Sequence, residues 1–222
     1  MMRVQLARLT RPLRWSSPRA AARLFMAFAR AERSSYYDMM AAAEQSPELT
    51  RRAQYLLHAN DEQRHALMFT LHAQSLDAAV GGDPREQRAD FERLFEKLGE
   101  HAFLAFVHCG ELRGRRQLAL YRDELAALGD DKGRALLDAV LVDEARHEHY
   151  TRQLLLELLK NEAAVRSALR RARLWELTRS WLRAGRAVGA GLFTLGMRAT
   201  YLLLFPLAWI ERLRLPANKA PR

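Results

Sequence analysis

The five-residue pattern Asp-Glu-x-Arg-His occurs twice in this chain, at residues 61–65 and at residues 143–147. In each copy a glutamate is followed three positions later by a histidine, and residues three apart lie on the same face of an α-helix. Each copy can therefore offer one carboxylate and one imidazole to the same ion. A single motif of this kind is usually part of a solvated helix face, but two identical copies predict two metal positions.

Two further acids interrupt largely apolar segments: one follows residues 25–31 and the other follows residues 103–110. A helical bundle that holds two ions takes one carboxylate from each of two helices and a Glu-x-x-His motif from each of the other two. Four carboxylates inside an apolar bundle repel one another and lose hydration unless cations compensate them. The predicted metal ligands are Glu32, Glu62, His65, Glu111, Glu144 and His147.

The predicted ligand set is rich in oxygen, with two imidazoles and no thiolate, and it suits iron better than zinc, with manganese as the second choice. Asp61 and Asp143 could each accept the second ring N–H of a ligating histidine, or could be solvated surface acids. Three more histidines at helical spacing from the ligands are predicted to be structural: His58, His108 and His149.

The composition and the positions of helix-capping and helix-breaking residues predict an all-α fold. The 222 residues are rich in helix-forming types, and their 11 glycines and 7 prolines are few. Ser46 as N-cap and Pro47 at the first helical position would open the second helix. A break at residues 81–84 and a short amphipathic piece over 85–98 would form one long crossover, as ferritin-like folds require. The four main helices are predicted at about residues 19–43, 46–77, 100–128 and 131–159.

The predicted helices divide the chain into three parts: a basic N-terminal segment over 1–18, a four-helix bundle over 19–160 and a basic helical tail over 161–222. The single cysteine, Cys109, excludes an internal disulfide and fits a reducing compartment. Packing is its expected role.

Charge is divided unevenly along the chain, which carries a formal net charge of +10. Residues 1–31 contain seven arginines and no acid, and residues 163–222 contain twelve lysines or arginines against two glutamates, so the middle is acidic. An acidic core between basic flanks is unlike a nucleic-acid domain with one continuous basic stripe. It favours a domain held on an anionic surface.

The tail combines arginines with aromatic residues, as interfacial membrane segments do. The stretch 187–210 is long enough to span a bilayer, but Arg198 near its middle and Pro206 favour a segment lying in the interface. Extra helices packed on the bundle or on a partner subunit are the alternative. The predicted membrane-contact residues are Arg170, Arg171, Trp175, Trp181, Tyr201, Phe205 and Trp209.

The N-terminal residues 1–30 are rich in arginine and lack acids. They resemble a mitochondrial targeting segment, and equally a second basic membrane contact in a bacterial protein; they lack the apolar region of a secretory signal. The expected location is cytoplasmic with peripheral membrane association, and the alternative is the matrix side of the mitochondrial inner membrane.

The order Glu, Glu-x-x-His, Glu, Glu-x-x-His resembles the ferritin-like di-iron superfamily over about residues 20–160. The two pentapeptides are similar to the ligand motifs of the soluble acyl-carrier-protein desaturases. The size of the chain and its expected membrane association are closer to those of the demethoxyubiquinone hydroxylases. The resemblance implies two iron ions that activate O₂. In that context Gly114 could leave room for O₂ or substrate, or serve close helix packing, and Tyr36 could relay an electron, hydrogen-bond a ligand or be a core aromatic.

Two classes of function follow from the resemblance. The first is a hydroxylase, oxygenase or desaturase of an apolar small molecule, such as a lipid chain or quinone. Its expected partners are an electron donor and a second copy of the chain in a homodimer. The second is an iron- or peroxide-handling protein of ferritin or rubrerythrin type. One cysteine cannot build the Cys-rich iron site of rubrerythrins, which favours the first. A tRNA-modifying di-iron hydroxylase is a third class, suggested by positive charge alone.

Overall fold

The computed structural model describes residues 14–80 and 93–214, apart from the side chains of residues 183, 184, 187, 203 and 206–214. Within those ranges the regular structure is entirely helical. The prediction of an all-α chain is confirmed for this part of the sequence. The helices are α1 (Pro18–Gln45), α2 (Leu49–Leu76), α3 (Leu94–Leu98), α4 (Glu100–Leu128), α5 (Asp131–Leu159) and α6 (Glu162–Arg214).

The four long helices α1, α2, α4 and α5 share one apolar core. Helix α1 packs along α2, α4 packs along α5, and α2 also contacts α5. Each helix supplies side chains to a cluster that removes apolar surface from water, the main favourable contribution to folding. This arrangement is compatible with a ferritin-like fold. The cluster includes Ala22, Phe25 and Ala29 of α1, Phe69 and Ala73 of α2, Leu118, Tyr121 and Leu125 of α4, and Leu137 and Val140 of α5.

The start of α2 differs from the prediction that Ser46 caps it. The helix begins at Leu49, and the Glu48 carboxylate accepts hydrogen bonds of 2.8 Å from the backbone N–H groups of Thr50 and Arg51. Ser46 instead ends α1, and its buried hydroxyl donates to Glu100 at 3.1 Å. A charged acceptor satisfies two orphan N–H groups at once, so the glutamate is the stronger cap.

The connection from α2 to α4 is the longest between the main helices. Its residues 81–92, including the predicted break and most of the predicted amphipathic piece, lie outside the described residues. The short α3 follows, and its Phe95 ring packs against Phe103 with centroids 5.4 Å apart. By contrast, α4 and α5 meet at Gly129, which adopts a φ of 74°, and at Asp130, which caps α5 through Gly133 N–H at 2.9 Å.

Residues 1–13 of the predicted N-terminal segment lie outside the described residues. In the described part of this segment, residues 14–18, the Trp15 indole N–H donates a hydrogen bond to Glu124 of α4 at 2.7 Å. At the other end, the first part of α6 buries Val165, Ala168 and Ala172. Cys109 is buried, and its thiol lies 3.7 Å from the Leu169 carbonyl, in keeping with a packing role.

The chain divides into two compact units, with the boundary between Arg173 and Leu174. In the second unit, the predicted contact residues Trp181, Tyr201 and Phe205 are 69–73% exposed, while Trp175 is half-buried beneath Arg179. Arg170 and Arg171, in the first unit, are exposed. The Trp209 side chain is among those that the structure does not describe. Among the described helices, none is both long and apolar enough to cross a membrane.

Candidate metal centre

The six ligands predicted from the sequence come together between α1, α2, α4 and α5, in two overlapping groups. Within each group, one donor atom per residue lies within 4.8 Å of the others, a spacing that can hold a metal ion. Glu62 belongs to both groups. The Glu32 group consists of Glu32, Glu62, His65 and Glu144, and the His58 group consists of His58, Glu62, Glu111 and His147.

The two pentapeptides are linked crosswise, because the aspartate of each copy contacts the histidine of the other. His65 donates its Nε2–H to Asp143 at 3.1 Å, and His147 donates its Nε2–H to Asp61, also at 3.1 Å. A carboxylate only accepts, so in a neutral imidazole this bond leaves Nδ1 unprotonated. Burial also lowers the pKa of His65. The aspartates therefore fix which ring nitrogen can bind a metal.

The arginines of the two pentapeptides hold these aspartates ionised. Arg64 contacts Asp143 and lies 2.9 Å from Asp61, and Arg146 contacts Asp61 and lies 2.8 Å from Asp143. Burial alone would raise the pKa of each aspartate, but the hydrogen bonds from histidine and the arginine charges lower both values. Three of the five residues in each motif, the aspartate, the arginine and the histidine, thus belong to one network.

Two buried ring atoms test whether this cluster fits a metal. The Nδ1 atoms of His65 and His147 have no hydrogen-bond partner among the described residues. The His65 Nδ1 lies 3.9 Å from Glu144, and the His147 Nδ1 lies 3.5 Å from Glu62 and 3.8 Å from Glu111. These separations are too long for hydrogen bonds. An ion between the lone pairs and the carboxylates would satisfy both, so the residues fit a metal.

The carboxylates show the electrostatic cost of the cluster. Burial and the neighbouring acids raise the pKa of Glu32 and of Glu144 well above the ordinary value, and burial raises that of Glu62 to about 8. Burial would also raise the pKa of Glu111, but the His58 ring, whose Nε2 lies 3.5 Å from this acid, holds that pKa well below the ordinary value. Without cations, the cluster is therefore partly protonated near neutral pH.

Sequence reasoning missed three side chains in this region. His58 was predicted to be structural, yet its Nε2 lies 3.0 Å from Glu62, and its ring stacks on His147 with centroids 3.7 Å apart. Tyr150 places its hydroxyl 2.5 Å from His58 Nδ1, and Ser35 hydrogen-bonds Glu62. The available signal was spacing, since His58 precedes Glu62 by one helical turn.

The remaining predicted residues lie at different distances from the centre. A Cβ added to Gly114 would stand 3.4 Å from Glu144 Oε2, so this glycine directly borders a candidate ligand. Tyr36 is half-buried against Tyr37 and belongs to neither donor group. His108 is buried and hydrogen-bonds Thr151 at 3.0 Å, as a structural histidine would, and His149 is exposed.

We expect Asp143→Asn to weaken metal binding by about 10- to 100-fold, the usual loss when the hydrogen-bond partner of a ligating histidine is removed. Asparagine keeps the shape but loses the negative charge that orients His65 and makes it a better donor. Anaerobic Fe(II) titration measures the change. Asp138→Asn, which alters a half-buried acid of α5 paired with Arg122, is the matched control. Equal losses in the two variants would contradict the assigned role of Asp143.

Comparison with known proteins does not identify a relative. No family model matches the chain, and neither curated proteins nor solved structures gave a significant match.

Proposed function

We propose that this chain is a ferritin-like di-iron oxidoreductase that uses O₂ to hydroxylate, oxygenate or desaturate an apolar molecule drawn from a membrane. The observation that carries the proposal is the pair of donor groups sharing Glu62, formed by residues of four helices. Ferritin-like carboxylate proteins use this arrangement to hold two ions in a four-helix bundle with one long crossover.

The donor set supports iron as the first choice and manganese as the second. Four carboxylates surround the proposed pair of ions, and the buried Cys109 belongs to neither donor group. Oxygen and imidazole ligands without thiolate suit these metals. Two ferrous ions held side by side can together supply electrons to O₂.

The side chains around the centre have three tasks in this proposal. The helices exclude water, since His58, His65 and His147 are at most 1% exposed. The crossed aspartates orient the ring nitrogens, and the raised pKa of Glu144 lets this carboxylate carry a proton until a cation replaces it. Gly114 adds no side chain next to Glu144, and this supports the position as a place for O₂ or the reacting carbon of a substrate.

The second unit supports a membrane as the source of the substrate. Its described part exposes large apolar side chains, among them Trp181, Phe193, Tyr201 and Phe205. Exposed aromatics on a basic helix are typical of segments that lie in the interface between lipid and water. An anionic membrane surface is the partner we propose for this unit, with peripheral attachment on the cytoplasmic side and an electron donor that binds separately.

Comparison of lipid and quinone extracts from cells lacking the gene, complemented with the parent or with Glu144→Ala, tests the proposal. We expect a compound that differs by one oxygen or two hydrogens and is restored only by the parent. Trp181→Ser combined with Phe193→Ser should move the protein out of the membrane pellet and reduce that product. An unchanged extract, together with Fe(II) oxidation by the purified parent, would instead assign the chain to iron handling.

A further inference from the structure

His58 is the one member of the two donor groups that lies outside both pentapeptides and apart from the two single acids. It lies in the middle of α2, and its side chain is fully buried. A buried imidazole among acids needs a partner for each ring nitrogen. Its partners are acids of the centre on one side and a tyrosine on the other.

The first ring nitrogen of His58 faces the acids. Its Nε2 lies 3.0 Å from Glu62 and 3.5 Å from Glu111, and both acids also approach His147 Nδ1, at 3.5 and 3.8 Å. Ligands around one ion with bonds of about 2.1 Å lie about 3.0 to 3.4 Å apart. The four measured separations, 3.0 to 3.8 Å, exceed this range by at most 0.4 Å, so the two imidazoles and two carboxylates lie close to the spacing of a ligand set.

The second ring nitrogen of His58 faces Tyr150. Its Nδ1 lies 2.5 Å from the Tyr150 hydroxyl, and the tyrosine is buried. A hydroxyl can either donate or accept. Tyr150 can donate to Nδ1 while Nε2–H bonds Glu62, and it can accept from Nδ1–H when Nε2 offers its lone pair to an ion. The ring proton is on Nε2 in the first arrangement and on Nδ1 in the second.

We propose that His58 is a third imidazole ligand, binding the ion of the His58 group through Nε2, and that the two metal positions are consequently unequal. This inference rests on the proposed dinuclear centre. The Glu32 group offers three carboxylates and one imidazole, whereas the His58 group offers two of each. Imidazole-rich sites favour later first-row ions, and carboxylate-rich sites suit manganese. The His58 group takes Co(II) first, and the Glu32 group fills second.

Anaerobic Co(II) titration of the metal-free full chain, followed by absorption and calorimetry, tests the inference. The parent should bind two ions in two separate steps. His58→Gln keeps a hydrogen-bond donor but removes the imidazole, and it should weaken the tighter step by about 100-fold or more while the other step is retained. Tyr150→Phe should weaken the same step by a smaller factor. His108→Gln, a buried histidine outside both groups, is the matched control and should bind as the parent does.

The outcomes separate this inference from the proposed centre. A parent that fails to bind close to two Co(II) ions overturns the dinuclear centre itself. If the parent binds two and His58→Gln binds them with the same affinities and spectrum, the centre stands and the role of His58 is wrong. Should His58→Gln not fold, a crystal structure of the Co(II)-loaded parent decides. A Co–Nε2 distance near 2.1 Å supports the ligand, and one beyond 3 Å overturns it.

Discussion

Replacing Glu62 with alanine is expected to abolish binding at both metal positions, because Glu62 is the only residue shared by the Glu32 group and the His58 group. The substitution removes a carboxylate from each ligand set and leaves the Nε2 atom of His58 without its closest partner. We expect the metal content to fall from about two ions per chain to well below one. The affinity of each position should fall by at least about 100-fold, or roughly 3 kcal/mol. Anaerobic Fe(II) loading followed by metal analysis measures this loss.

Two variants show whether the loss comes from the ligand itself. Glu62→Gln preserves the side-chain volume but not the charge, so it should lose nearly as much metal as the alanine variant. Glu124→Gln alters a buried glutamate that bonds Arg14 and Trp15 away from both groups, and it should keep both ions. Two ions bound to Glu62→Ala would show that the clustered carboxylates are not a dinuclear site.

Much of the fold was predictable because its signals are local. The four long helices begin and end within a few residues of their predicted bounds, since Gly129 and Asp130 punctuate the chain strongly. The start of α2 was not predictable with the same rule. Ser46 and Glu48 both qualify as caps, and the choice depends on Glu100, distant in sequence, which engages the serine hydroxyl.

The candidate site was also predictable only in its local features. Two Glu-x-x-His spacings and two acids in apolar segments were enough to select six residues that lie together in the structure, because each of these signals is local to one helix. It could not show that each aspartate contacts the histidine of the opposite pentapeptide, since that contact depends on how α2 packs against α5. The place of His58 beside the carboxylates was missed for the same reason. Its partners Glu111 and Tyr150 come from other helices.

The buried acids that bind the ions also make the metal-free chain sensitive to pH. We expect its free energy of unfolding to fall as pH rises from about 6.5 to about 8. Burial raises the pKa of Glu62 from 4.5 to about 8, so over this interval the folded state binds a proton that the unfolded state has lost. One such proton is worth about 1.4 kcal/mol per pH unit, which gives about 1 to 2 kcal/mol from Glu62. Glu32 and Glu144, whose pKa values are also raised, add to the loss.

Other titrating groups change the free energy of unfolding mainly outside the interval from pH 6.5 to 8. Burial lowers the pKa of His65, His72 and His108, so their contribution to stability grows with pH and is nearly complete at about pH 7.5, one unit above the ordinary value of 6.5; it opposes the effect of the glutamates only in the lower part of the interval. The aspartates of the crossed network, with lowered pKa values, lose their contribution only below about pH 4. The raised pKa of Cys109 takes effect above pH 9. Between pH 6.5 and 8, the glutamates of the centre are therefore expected to dominate.

Thermal and urea unfolding of chelator-treated protein, at several pH values between 6.5 and 8, measures this dependence. Glu62→Gln should have a shallower slope than the parent, because the amide does not titrate. Bound Fe(II) or Mn(II) should remove the decline, since the ions hold the carboxylates deprotonated in the folded state and bind more tightly as pH rises. A metal-free parent whose stability stays level or increases over this range would contradict the proposed protonation of the cluster. Metal ions and protons are thus expected to compete for the same buried glutamates, and the folded chain is expected to be most stable when the ions are bound.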